Sequence, residues 1–319
     1  MKKALKIIGK GLLGLLILIL LFLIVMFVYN QIMLKKNKAL YETPLGQLVE
    51  VDGHNMSVYT EGEGNHTIVF LSGHGTASPI LDFKPLFSRL SDAYKIVVVE
   101  KFGYGFSDLA DGERDLDTIL RQDREALEKC GIEAPYVLCP HSFSGYEATR
   151  WAQEYPDEVE AIVGLDMCTP HCMDVSKLKE RDSGYSFLRG LAKFMKAVGI
   201  IRLFDYNESG VLSEEDCAIY KEIACRKNVN DTMQNEGNVE NIIALNDERN
   251  SAPLPTVPVM LYVSNEPSND AYWVGGMQAM VDASSDGTLI QLDCGHYVHN
   301  FAYERISQDM KAFLAKLGG

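Results

Sequence analysis

The chain has 319 residues, of which 47% are hydrophobic, so it is long enough for one large domain with a full core. Its formal net charge of −14 is unevenly distributed. The first 38 residues contain seven lysines and no acidic residue, which leaves 23 basic and 44 acidic residues, a net charge of −21, for the remainder. Because so acidic a body repels phosphate groups, nucleic acids are excluded as partners.

The segment Gly11–Leu34 contains no charged residue and predicts a membrane-spanning helix. At about 1.5 Å per residue it reaches roughly 36 Å, more than the hydrocarbon core of about 30 Å. A cleaved signal peptide is the alternative, but Gln31–Lys36 offers no small-residue cleavage site. We therefore predict that residues 1–38 are an uncleaved anchor. Four lysines and the amino terminus precede the span and three lysines follow it, which slightly favours a catalytic domain on the outer, non-cytoplasmic face.

After the anchor, apolar runs that predict strands alternate with helical patterns. The predicted strands cover residues 47–51, 56–60, 67–71, 95–100, 136–139, 161–165, 257–263 and 288–292. The predicted helices cover residues 80–90, 115–129, 144–155 and 307–317. Buried strands that alternate with helices are typical of an α/β fold with a mostly parallel sheet and helices on both faces.

Residues 167–256 interrupt this alternation with about 90 residues that read as helical and polar. Such a stretch is too long for a loop and too short for a typical independent domain. We predict that it is a helical lid inserted over the functional site. The core then comprises residues 39–166 and 257–319.

The segment Tyr136–Gly145, YVLCPHSFSG, predicts a buried strand that runs through a sharp turn into a helix. A serine at that turn stands above the sheet, and the helix N-terminus behind it favours developing negative charge. The segment resembles the nucleophile elbow, G-x-S-x-G, of the α/β-hydrolase family, and the resemblance implies Ser142 as the nucleophile. Pro140 and Ser144 stand where the family has glycine. Ser144 is small, and Pro140 lacks an N–H, so we expect it where the strand's hydrogen-bond ladder has ended.

The segment after the last predicted strand contains Gly295 and His296 and resembles the family's loop that carries the catalytic base. The resemblance implies that His296 takes the proton of Ser142 and later passes it to the leaving group. His299 is the competing histidine, but the preceding glycine favours His296. The order along the chain, serine first and histidine last, is also that of the family.

The segment Leu71–Gly75 resembles the family's loop after the first parallel strand. The resemblance implies that the backbone N–H groups of His74 and Phe143 form an oxyanion hole. The structural alternative is a glycine-rich turn without a catalytic part. A phosphate-binding loop is disfavoured because no Lys-Ser/Thr pair follows.

The acid that orients His296 has three candidates. The family usually places it after the strand at 257–263, where Pro267 stands, with Glu266 and Asp270 close by. Some members carry it one strand earlier, where this sequence has Asp166. We predict Asp166, with Glu266 and Asp270 as alternatives.

The resemblance, over residues 47–166 and 255–317, implies a serine hydrolase that cleaves small carboxylic esters through an acyl-enzyme. An aminopeptidase of the proline-iminopeptidase kind, acting on short peptides, is the alternative enzyme. A non-catalytic binding domain on the same scaffold is the alternative of another class. No metal or nucleotide cofactor is implied: Cys168 and Cys172 flank His171, but no second ligand pair stands at zinc-site spacing.

Overall fold

The computed structural model describes residues 2–170, 172–173, 175–238, 241–245, 252–266 and 271–317, without the side chains of Lys2 and of residues 175–185. The strands are β1 Gln47–Val51, β2 His54–Glu61, β3 Thr67–Leu71, β4 Lys95–Glu100, β5 Tyr136–Pro140, β6 Val159–Leu165, β7 Val259–Val263 and β8 Gly287–Gln291. The longer α-helices before β7 are α1 Lys2–Lys36, α2 Lys38–Glu42, α3 Pro79–Phe87, α4 Leu116–Lys129, α5 Ser144–Glu154, α6 Val175–Val198, α7 Glu214–Lys227 and α8 Asp231–Glu236. Those after it are α9 Ala271–Ala283, α10 Val298–Phe301 and α11 Tyr303–Leu317.

The strands form one eight-stranded sheet in the order β1-β2-β4-β3-β5-β6-β7-β8. The pairs β1–β2 and β2–β4 are antiparallel, and every other pair is parallel. Alternate side chains of each strand enter two cores on opposite faces: Val69 and Leu71 of β3 pack with α4, α5 and α9, whereas Ile68 and Phe70 pack with α3 and α11. The predicted fold class is thereby confirmed.

One local expectation was wrong. Strand β5 continues through Pro140, which pairs with Leu71 of β3, although we expected the ladder to have ended there. The next amide, that of His141, donates to the Leu71 carbonyl at 2.9 Å. Because successive amides of a strand point to opposite sides, the missing N–H of Pro140 faces β6, whose continuous pairing with β5 ends at Leu138.

Between β6 and β7 the described chain is helical, with α6, a 3₁₀ turn at Ile200–Leu203, α7 and α8. These elements make many contacts with the core through α8 and its flanks. Asn230 Nδ2 donates to the Gly103 carbonyl at 2.7 Å, and Lys227 Nζ donates to that of Ser107 at 2.5 Å. The segment therefore packs against the carboxyl edge of the sheet, next to the loops that follow β3 and β4.

Helix α1 is the one described helix that is long and apolar enough to cross a membrane. Most of its apolar side chains are exposed, but Met26 and Asn30 are buried. Asn30 Nδ2 donates to the Lys196 carbonyl of α6 at 3.4 Å, and its Oδ1 accepts from Arg202 Nε at 2.6 Å. Arg202 in turn donates to Glu222 of α7 at 2.6 Å. The second half of α1 is thus joined to the helices between β6 and β7.

Candidate active site

Ser142 lies on the tight turn between β5 and α5, with a left-handed backbone at φ 52°. Such a conformation costs a non-glycine residue of order 1–3 kcal/mol and persists only where its surroundings enforce it. Here the Ser142 N–H donates to the Leu165 carbonyl at 3.3 Å, and the Ser142 carbonyl accepts from the Cys168 N–H at 2.7 Å. A side chain at Gly145 would overlap the Cys168 carbonyl, so only glycine permits this approach.

Ser144, which stands where the compared motif has glycine, is accommodated by hydrogen bonds. Its hydroxyl donates to the Leu71 carbonyl at 2.6 Å or to the His141 carbonyl at 2.9 Å. The extra polar atom is therefore buried but satisfied. The departure from the glycine pattern at this position leaves the turn intact.

The structure brings Ser142, His296 and Asp166 together in one hydrogen-bonded series. Ser142 Oγ lies 2.8 Å from His296 Nε2, and His296 Nδ1 lies 2.7 Å from Asp166 Oδ2. Asp166 is fully buried, and its other oxygen accepts from the Ser264 N–H at 3.2 Å and from Trp273 Nε1 at 3.0 Å. With Asp166 as an acceptor, Nδ1 of the imidazole carries the proton and Nε2 is free to accept from the serine.

The two alternative acids differ in position. Glu266 lies near the predicted loop, with Oε1 3.1 Å from where a side-chain carbon on Gly295 would sit, and it lines the same cavity as His296. Nδ1 of His296 is taken by Asp166, so Glu266 holds no place in the series. Asp270 lies outside the described residues. Of the two candidate acids that the structure describes, Asp166 is the one joined to His296.

His299, the competing histidine, belongs to a buried group behind His296. Its Nε2 lies 2.7 Å from Asp82 Oδ2, and it has no exposed surface. His141 lies between the two, with Nε2 3.2 Å from the His296 carbonyl and its ring centre 4.6 Å from that of His299. Burial lowers the pKa of His141 well below its usual range, and His299 and His296 lower it further, so His141 is neutral and donates through Nε2. This group supports the backbone of the loop that carries His296.

The backbone N–H groups of His74 and Phe143 border Ser142. Within the described residues neither donates to an acceptor, which leaves both available to an oxyanion. The His74 ring is held away from them, since Nε2 donates to the Met233 carbonyl of α8 at 2.8 Å. The next amide, that of Gly75, donates to the Tyr104 hydroxyl at 3.3 Å, which fixes the loop after β3.

A cavity of about 510 Å³ opens at Ser142 and His296. Its walls come from both the sheet loops and the segment between β6 and β7, and they are largely apolar. The remaining lining residues are His74, Phe143, Cys168, Met173, Gly237, Ile242, Glu266 and Trp273. A cavity of this size and lining suits a small or medium organic molecule with an apolar part.

A buried ionic network next to the site was not predicted from the sequence. Lys101, directly after β4, donates to Glu236 Oε1 at 2.5 Å and lies 3.7 Å from Glu147 Oε2 of α5. The other oxygen of Glu236 accepts from the Tyr104 hydroxyl at 2.5 Å. Lys101, Glu147, Asp123 and Glu236 are nearly inaccessible to solvent. Asp123 and Glu236 stand in polar segments of the sequence, so only Lys101, between the apolar run of β4 and Phe102, offered a signal.

The pKa shifts indicate how this network balances its charge. Burial raises the pKa of the Asp123 carboxyl well above its usual range, and the adjacent Glu147 raises it further, which favours a protonated Asp123. Burial also opposes ionisation of Glu236, but Lys101 and His74 outweigh it and lower the Glu236 pKa overall. Lys101 therefore serves as the counter-ion of a carboxylate on α8.

All seven cysteines, each within the described residues, are free thiols. Cys172 Sγ lies 3.2 Å from the Tyr146 hydroxyl, and Cys168 is buried beside it. His171, which raised the question of a metal site, lies outside the described residues. Burial raises the pKa of the Cys168 thiol well above its usual range, which keeps it a neutral packing residue.

No protein-family model matches the chain. YbdG, an uncharacterized protein of Bacillus subtilis strain 168, is 38% identical over 225 residues, which cover 69% of this chain and 68% of YbdG. The 2-(acetamidomethylene)succinate hydrolase of Mesorhizobium japonicum is 27% identical over 127 residues, or 40% of this chain and 44% of that enzyme. Among solved structures, the epoxide hydrolase CorEH has a TM-score of 0.65 at 18% identity and covers 85% of this chain and 98% of its own, which shows likeness of fold alone.

Proposed function

Because the chain belongs to the α/β-hydrolase fold family, we propose that it is a membrane-anchored serine hydrolase that cleaves carboxylic esters through an acyl-enzyme. Two named proteins among its relatives and structural neighbours are hydrolases, which supports a hydrolytic reaction in general. The single observation that supports a serine hydrolase with an acyl-enzyme is the hydrogen-bonded series of Ser142, His296 and Asp166.

In the proposed reaction, Ser142 Oγ attacks the ester carbonyl carbon while its proton passes to His296 Nε2. Asp166 stabilises the imidazolium that forms. The N–H groups of His74 and Phe143 donate to the oxyanion, an arrangement in which one donor is worth about 10²–10³-fold in rate. The imidazolium then gives its proton to the departing alcohol. A water molecule, deprotonated by His296, then attacks the acyl-enzyme; the bond to Ser142 Oγ breaks, His296 returns the proton to that oxygen, and the acid is released.

The substrate that we propose is an ester of small or medium size. The apolar walls of the cavity, from Phe143, Met173, Ile242 and Trp273, suit an acyl chain rather than a polar peptide backbone. An ester also needs no recognition of a free amino terminus. Turnover of p-nitrophenyl esters of increasing chain length, beside aminoacyl-anilides, separates the esterase from the aminopeptidase.

A fluorophosphonate probe tests the nucleophile. We expect the full-length protein in membranes to be labelled and the Ser142→Ala variant to lose labelling entirely, because the probe bonds covalently to an activated serine hydroxyl. Ser144→Ala is the matched control, since it removes a buried hydroxyl two residues away. We expect it to retain labelling. Failure of the folded wild-type protein to react would instead support a non-catalytic binding domain.

We also propose that α1 anchors the protein, with the catalytic domain on the non-cytoplasmic face. The three lysines after the apolar run are fewer than the positive charges before it, which favours this orientation weakly. Protease treatment of intact cells is expected to degrade the domain while a cytoplasmic marker stays whole. A fully protected domain, in cells whose lysate is digested normally, would reverse the proposed orientation.

A further inference from the structure

Within residues 186–198, the part of α6 whose side chains the structure describes, four large apolar residues are exposed on the side that faces away from the protein. Phe187, Leu188, Leu191 and Phe194 are 73%, 57%, 44% and 47% exposed. At 100° per residue, Phe187, Leu191 and Phe194 lie within about 60° of one another around the helix axis. These four side chains form one continuous surface, which we name the α6 stripe.

The opposite side of α6 carries basic side chains that contact the protein. Arg189 Nη2 donates to the Gly237 carbonyl at 3.3 Å, and Lys193 Nζ lies 2.6 Å from Asp231 of α8. A helix on a water-exposed surface has its apolar side against the core and its charges outward. The amphipathicity of α6 is therefore reversed, so the α6 stripe requires an apolar environment outside the protein.

We infer that the α6 stripe is buried in the surface of the lipid bilayer that α1 crosses, and this inference rests on the proposed anchor. The two helices are in contact: Asn30 bonds to the Lys196 carbonyl, and Gly199, just after α6, packs so closely on Asn30 that a side chain there would overlap it. The exposed Leu203 and Phe204 extend the apolar surface beyond α6. The helix that carries the stripe thus packs at its end against a membrane-spanning element.

The position along α1 at which the other helices pack determines how deep those helices lie in the bilayer. Met26 is buried by the protein although it stands eight residues before Leu34, the end of the charge-free run. At about 1.5 Å per residue, this contact lies roughly 12 Å below the end of the apolar segment. Interfacial helices bury their apolar face to a depth of about 5–10 Å, so the packing of α1 brings the neighbouring helices to the required level.

The inner side of α6 connects this surface to the candidate active site. Gly237, whose carbonyl Arg189 holds, lines the cavity of Ser142, and Met173, two residues before α6, lines it too. A substrate that approaches along α6 therefore comes from the bilayer. The substrate class that follows is an ester of medium size whose apolar chain keeps it dissolved in the membrane.

Tryptophan fluorescence tests the position of the stripe in the full-length protein, reconstituted in phosphatidylcholine vesicles with or without brominated acyl chains. Trp151 and Trp273, the native tryptophans, are buried, and their emission is measured in the wild-type protein in each kind of vesicle and subtracted. We expect brominated chains to quench the added emission of Phe194→Trp by about twofold or more, because an interfacial side chain contacts the acyl region. Tyr155→Trp, an exposed aromatic position at the end of α5, is the matched control and should stay unquenched.

The result that overturns the inference is an added emission of Phe194→Trp that is unquenched, or quenched no more than that of Tyr155→Trp. If that result comes with cross-linked dimers, the stripe contacts a second copy instead. A second readout uses Phe187→Ser/Leu191→Ser/Phe194→Ser, for which we expect about tenfold slower hydrolysis of medium-chain esters dissolved in vesicles and unchanged hydrolysis of p-nitrophenyl acetate. Fluorophosphonate labelling of the wild-type protein and of each variant separates the proposed function from the membrane contact. A wild-type protein that is not labelled contradicts the hydrolase. A Phe194→Trp variant that is labelled but not quenched contradicts the membrane contact alone.

Discussion

Asp166→Asn is expected to lower kcat about 10⁴-fold while leaving the fold and KM nearly unchanged. The reason lies in the donors around the carboxylate. The Ser264 N–H and Trp273 Nε1 both donate to Oδ1, so the oxygen of an asparagine would turn to that side and its NH₂ group toward His296. The imidazole would then accept at Nδ1 and carry its proton on Nε2. In that tautomer it cannot take the proton of Ser142.

Glu266→Gln is the matched control, since Glu266 is a carboxylate in the same cavity that the structure does not join to His296. We expect its kcat to stay within about threefold of wild type. Steady-state turnover of one p-nitrophenyl ester by all three proteins makes the comparison. Near-full activity of Asp166→Asn together with a large loss in Glu266→Gln would move the acid to Glu266.

Lys101→Met is expected to lower the free energy of unfolding by about 3–5 kcal/mol, the usual effect of removing one partner of a buried ion pair. The substitution would leave the carboxylate of Glu236 without its cation, and Glu147 lies 3.7 Å from the same ammonium group. Both carboxyl groups are almost fully buried, so water cannot replace the lost partner. Chemical denaturation of the full-length protein in detergent micelles measures the change.

Two variants check the cause. Lys311→Met removes an exposed lysine that pairs with Asp92 at 3.0 Å and should cost less than about 1 kcal/mol. Lys101→Met/Glu236→Gln removes both charges of the pair and should recover a large part of the stability lost in Lys101→Met. If the single variant is no less stable than Lys311→Met, the buried pair does not carry the charges that we assign to it.

The ionic network also links stability to the site. Glu236 holds Tyr104, whose hydroxyl accepts from the Gly75 N–H next to His74. Glu236 is also adjacent to Gly237 in the cavity wall. Loss of Lys101 should therefore loosen the loop after β3 as well as α8, and an activity loss in Lys101→Met is expected to exceed the loss of folded protein.

The strands of the sheet could be predicted closely because their signal is local. The runs at 67–71 and 95–100 are apolar on both faces, as a central parallel strand must be, and the structure has the same bounds for β3 and β4. Strand β7 begins two residues later than predicted, at Val259, because Val257 and Pro258 precede the pairing with β6. Such end effects depend on the neighbouring strand and not on the segment itself.

The candidate site was predictable where one turn determines it. Ser142 and Gly145 lie within a single strand–turn–helix unit, whose steric requirements are met by residues that are close together in the sequence. For the acid, the sequence favoured Asp166 but left Glu266 and Asp270 open, because the choice depends on which strand end faces His296. The partners of Lys101 could not be predicted either, since Glu147 and Glu236 are 46 and 135 positions away along the chain.

The junction between α1 and Arg202 has a practical consequence for making a water-soluble form. Removal of residues 1–36 would take away Met26 and Asn30, uncovering apolar surface and leaving the guanidinium of Arg202 short of an acceptor. A truncation after Lys36, the last residue of α1, would therefore remove side chains that pack against the rest of the protein. Polar substitutions confined to the part of α1 before Leu23 would make the helix soluble in water. They would keep the second half of the helix, which packs against the rest of the protein.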